Sequence, residues 1–205
     1  MPESQVQHWD PRCLRKRRTR EEPYPGLRLT MLETPYLVVG RTAGEWRDAM
    51  ARLGPQRAGR RCMAYTEWRL TWAYATRAHE HGHAAAEVHV ELEVETTLPV
   101  WRPPANITFE RITEWNTLRR TLACHEDGHG RNGIEAAHAL FRSLSALPPQ
   151  PSAQCVSELA SLSAARVVLH YRERAAAHDP RAGALTARYE KRPWSTRSSG
   201  GASLG

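Results

Sequence analysis

The strongest constraint on this chain is the alternation between Val88 and Leu98. Val88, Val90, Leu92, Val94 and Leu98 fall on one side, with His89, Glu91, Glu93 and Glu95 on the other. A period of two is strand geometry, with one face for a core and one for water or a substrate channel. Ala64 to Tyr74 repeats it, with Trp68, Leu70, Trp72 and Tyr74 opposite Glu67, Arg69 and Thr71. The two segments are expected to pair as an antiparallel hairpin, with residues 78–85 as its loop.

The flanking sequence reads as helix and turn. Tyr36 to Val39 is a short apolar run, expected as a strand. Thr42 and Glu45 have capping-box spacing, which predicts a helix over about 43–53, stopped by Gly54 and Pro55. Pro99, Pro103 and Pro104 are expected to close the sheet. Helical spacing of Phe109, Ile112, Trp115, Leu118 and Leu122 follows, and the pattern continues to Leu147. Gly128, Gly130 and Gly133 weaken its middle by about 1 kcal/mol each relative to Ala and permit a bend. After Pro148, Pro149 and Pro151, a helix over about 153–175 is expected, with Leu159, Leu162, Ala165 and Leu169 on one face. The fold class is therefore α+β, an antiparallel sheet packed against a long helix and the helix after it. Residues 1–27 read as a basic, polar arm, 28–192 as one domain, and 193–205 as a disordered Ser/Gly-rich tail.

The net charge is +7, and Arg15, Lys16, Arg17, Arg18 and Arg20 supply much of the excess. A solvated tail explains this run, and no recognition motif accompanies it, so nucleic acid is not an expected partner. No run approaches the roughly 20 apolar residues of a membrane span, so no membrane partner is expected. The segment after the basic run, EEPYPGLRLT, contains two prolines and cannot serve as the apolar stretch of a signal peptide, so the expected location is cytoplasmic. Cys13, Cys62, Cys124 and Cys155 form no CxxC pair, which argues against cysteine-held zinc.

His125, Glu126, Asp127, Gly128 and His129 spell HExxH in the predicted long helix. Side chains at i and i+4 share a helical face, so two imidazoles can grip one metal ion. Glu126, one residue along, is placed to take a proton from a water that the metal activates. Zn2+ is the expected cofactor, with hydrolysis of an amide or related acyl bond as the chemistry. With 10 histidines in the chain, chance matches must be weighed. His79, Glu80, His81, Gly82 and His83 also spell HExxH, but in the expected hairpin loop, where i,i+4 geometry is not guaranteed.

A catalytic zinc normally takes three protein ligands. Glu135 is the first candidate for the third, provided the chain turns after His129 at Gly130 or Gly133. On an uninterrupted helix Glu135 would lie about 80° from the His125 face, with His138 farther round. Glu158, His170, His178 and Asp179 are the alternatives from later segments. Tyr171 and Tyr189 are candidate oxyanion donors.

Several segments in order, YLVVGRTAGEWRDAM, Gly54–Pro55, AYTEWRLTWAY, VHVELEVETTLPVW and WNTLRRTLACHEDGH, carry a family resemblance over about residues 35–145. The chain resembles a bacterial domain family of formerly unknown function whose members are described as predicted secreted zinc-dependent proteases. The resemblance implies His125 and His129 as metal ligands, Glu126 as catalytic base, and a compact zincin-like fold of sheet and helices. Two departures stand out. Family members are commonly exported, and they tend to end with an Asp-containing loop leading to a His-Gly pair. Here AAHDPRAGAL keeps Asp179 and Gly183 without a following His, a role His178 could take over.

The leading expectation is a zinc-dependent, metalloprotease-like hydrolase of peptides or other small-molecule amides. A metal-dependent, non-proteolytic enzyme of small-molecule biosynthesis is the first alternative, favoured by a closed pocket lined by Trp68, Trp72 or Trp101. A non-catalytic binding or regulatory domain, its basic arm meeting an anionic partner, is the second.

Overall fold

The structure is a computed structural model that describes residues 16–22, 24–57, 59–178 and 188–192. A five-stranded sheet carries two long helices on one face. Its strands are β1 (Lys16–Glu21), β2 (Leu27–Val38), β5 (Tyr65–His79), β6 (Gly82–Trp101) and β7 (Arg188–Lys191). Helix α1 (Ala43–Leu53) and the two-residue strands β3 (Gln56–Arg57) and β4 (Arg60–Arg61) connect β2 to β5. Helices α2 (Phe109–Ser145) and α3 (Ala153–His178) follow the sheet.

The β5–β6 hairpin has the antiparallel register expected of it, with Trp68 opposite Val94, Leu70 opposite Leu92 and Trp72 opposite Val90. Both strands extend beyond the expected limits, so the loop shrinks to a tight turn at Glu80 and His81. Gly82 closes that turn at φ +123°, and a Cβ there would lie 2.2 Å from the Gln150 carbonyl oxygen. β6 also runs through Pro99 instead of stopping there.

The sheet is mixed, which corrects the antiparallel expectation. Its order is β1-β2-β6-β5-β7. β2 lies parallel to β6 and β7 parallel to β5, whereas β1–β2 and β5–β6 are antiparallel. Alternation assigns faces but carries no strand direction. The parallel partner of β6 comes from far back in the chain, through the crossover that contains α1. The basic run assigned to an arm is in part a strand: Lys16 to Glu21 pairs with Arg28 to Glu33. Residues 1–15 and 193–205, read as arm and tail, lie outside the described residues.

Among the described residues, two apolar clusters hold the fold. In the larger, Trp68, Leu70, Trp72, Val90, Leu92 and Val94 meet Ala136, Ala137, Leu140 and Leu144 of α2. Val156, Ala160, Ala164 and Val168 are the α3 residues in this core. The leucine face read from the sequence is not the buried one, since Leu162 and Leu169 are 57% and 58% exposed. α3 is apolar on more than one side, so its periodicity does not choose a face. The alanine stripe faces the core because small side chains let α3 pack close to α2 and the sheet. The smaller cluster joins Trp46 and Met50 of α1 to Val38, Trp101 and Trp115. Its three indoles meet pairwise with centroids 5.0, 5.4 and 5.7 Å apart. Phe109 and Ile112, at helical spacing with Trp115 on α2, are exposed.

α2 is one helix of 37 residues, with no turn after His129. Its glycines serve packing. A Cβ on Gly133 would lie 2.9 Å from Trp68 Cγ, whereas one on Gly130 would meet Val94 and Met31 at ordinary contact distances of 3.7 and 3.8 Å. Gly133→Ala is therefore expected to destabilise by roughly 1–3 kcal/mol through overpacking. Gly130→Ala should be neutral or stabilise by up to about 1 kcal/mol through helix propensity. Urea titration of both variants checks the contrast, and equal losses would contradict this packing.

Candidate metal centre

The HExxH segment lies near the middle of α2, where the helix passes from the tryptophan cluster to the main core. The helical setting that the motif requires is therefore present. Glu126 and His129 belong to the buried face, only 5% and 3% exposed, and His125 lies on the exposed rim. The imidazole centroids of His125 and His129 are 5.0 Å apart, with ring planes at 83°. Asn132 is also buried, at 5%, one turn beyond His129. Sequence reading passed over it, although a polar residue at i+3 from a candidate ligand was a usable signal. Asp127 points outward and accepts from Arg131 Nε at 2.9 Å.

The remaining candidates do not gather here. Glu135 required a turn that the continuous helix lacks, and its carboxylate pairs with Arg174 of α3. His138 lies 3.6 Å from the nearly buried carboxylate of Glu22 and edge-on to Tyr24. Glu158 is exposed and accepts from Gln154 at 2.9 Å. His170 is exposed and stacks edge-on with Tyr171. His178 ends α3, and Asp179 lies outside the described residues. Tyr171 packs against the main core, and Tyr189 occupies the β7 position opposite Leu70. The second motif spans the hairpin turn: His79 pairs with Gly82, and the His83 backbone bonds to Gln150. With no helix there, i,i+4 geometry is lost. Trp68, Trp72 and Trp101 fill the two cores instead of walling a closed pocket.

The donor chemistry suits a borderline-soft divalent ion. Two imidazoles one turn apart with a carboxylate on the same turn match two of the three ligands, and the base, of a catalytic zinc site. Among the described residues no third His, Cys, Asp or Glu completes the group.

A family model of bacterial proteins matches residues 33–184, from the middle of β2 to beyond the end of α3. The chain belongs to this family, described as bacterial protein of unknown function (DUF922). Neither the curated proteins nor the solved structures offer a match to it. The matched span of the DUF922 chain contains β5, β6, α2 and α3, and hence the whole HExxH turn and the elements it packs on. β1 and β7, the two outer strands of the sheet, fall outside it. Among the described residues, no helix is long and apolar enough to cross a membrane.

Proposed function

We propose that this DUF922 protein is a zincin-like, zinc-dependent hydrolase of a peptide or other amide bond. One observation carries it: two imidazoles sit one turn apart on a continuous helix, with Glu126 of the same turn buried. His125 and His129 would hold the ion. A zinc ion there supplies an acidified water and polarises the scissile carbonyl. Glu126 takes the proton from the attacking water and returns it to the leaving amine. Its position on the helix fixes it beside both imidazoles, so little reorganisation is needed. The exposed rim at His125 leaves the site open to substrate.

Among the described residues none completes the ligand set, and Asp179, the remaining candidate, lies outside them. α3 runs back along α2, and its Arg174 already reaches Glu135, so the end of α3 returns toward the HExxH turn. The chain then re-enters the sheet at Arg188, opposite Arg69.

Metal analysis of purified protein tests the proposal. About one zinc per chain is expected in the wild type, with its loss in His129→Ala. A protein that takes up no zinc when supplied with it would favour a non-catalytic binding domain.

A further inference from the structure

We propose that the groove between β1 and α2 is a docking site for an acidic peptide segment. This groove has a volume of about 520 Å³ and is bounded by β1, β2, β6 and the Arg120–Asp127 stretch of α2. Three exposed cations line it: Lys16, Arg18 and Arg120. Lys16 and Arg18 share one face of β1 because they are two residues apart. Two acids also line the groove, but each is already neutralised. Glu33 pairs with Arg119 at 3.1 Å, and Asp127 with Arg131 at 2.9 Å. Among the described residues, no carboxylate pairs with Lys16, Arg18 or Arg120, so the groove keeps a positive field. Its floor is apolar, formed by Met31, Leu32 and Leu98.

A fitting ligand therefore presents carboxylates interspersed with apolar side chains. Nucleic acid fits less well, because no aromatic side chain lines the groove for base stacking. β1 also has no strand partner on its outer edge among the described residues, so an extended peptide can continue there by backbone pairing. Asp127 lies roughly 160° round the helix from His125. A peptide in the groove thus approaches α2 from the flank away from the histidine pair, and the proposal stands whether or not metal binds.

The test is a titration of the full chain against a fluorescein-labelled hexapeptide of alternating Glu and Leu, read by anisotropy. Saturable binding at low salt is expected, weakening as salt screens the charges. Arg18→Glu and Arg120→Glu should each weaken it by about tenfold or more. Both positions are exposed, and melting curves matching the wild type keep unfolding out of the comparison. Arg166→Glu, exposed on α3, makes the same change in net charge and should leave binding unchanged. An equal loss in Arg166→Glu would overturn the proposal, since net charge alone would then explain the attraction. Absence of saturable binding would overturn it too. So would an oligothymidylate of equal charge that binds as tightly and displaces the peptide.

Discussion

Trp46→Ala is expected to lower the free energy of unfolding by about 3–5 kcal/mol. Trp46 is fully buried, at 0% exposure, and is the largest side chain of that kind among the described residues. It meets Trp101 and Trp115 edge-on, the arrangement that the aromatic quadrupole favours. Its indole Nε1 donates to the Gly40 carbonyl at 3.2 Å, and Trp101 Nε1 donates to the same oxygen at 2.9 Å. Truncation would empty the centre of the smaller cluster and remove one of those two bonds. Against a typical domain stability of about 5–15 kcal/mol, such a loss leaves a marginal protein. Denaturant titration measures it. A loss under about 1 kcal/mol would mean that the cluster collapses around the missing ring and that α1 is not held by it.

Under the proposed hydrolase reading, Glu126→Gln is expected to lower hydrolysis by about 10²- to 10⁴-fold, the usual contribution of a general base. Glutamine keeps the shape of the side chain but cannot accept the proton. The two histidines are untouched, so zinc content should stay at the wild-type level. The comparison is made on whichever peptide of a mixed library the wild type cleaves, with zinc measured on the same samples. Full activity in a zinc-loaded Glu126→Gln protein would remove Glu126 from the role of base. Loss of zinc together with activity would instead assign it to holding the site.

Local signals translated well from sequence to structure. The faces of β5 and β6 follow the alternation, because one face must be buried against α2 and α3. The start of α1 follows its cap: Thr42 Oγ1 accepts from the Glu45 amide at 3.3 Å. Glu45 reaches back as expected, though it takes the Arg41 amide, one residue before the cap. What was not legible is non-local. The parallel β2–β6 pairing depends on a crossover, and the placement of β1 depends on an edge that another segment provides. The α3 face depended on how closely alanines pack, which a count of leucines misjudges. At the site, the HExxH turn and its helix were readable from spacing alone. The rejection of Glu135 was not, because three glycines in one stretch look like a break until Trp68 is seen filling the space above Gly133.

The unbroken course of α2 ties the two clusters together. Trp115 anchors its first half among the tryptophans, and Leu140 and Leu144 anchor its second half in the main core. A rod shared in this way cannot melt at one end without loosening the other, so the two clusters belong to one cooperative unit. The histidine pair sits at the seam, where local fraying is least available. Its geometry should therefore persist almost up to the temperature at which the whole domain unfolds.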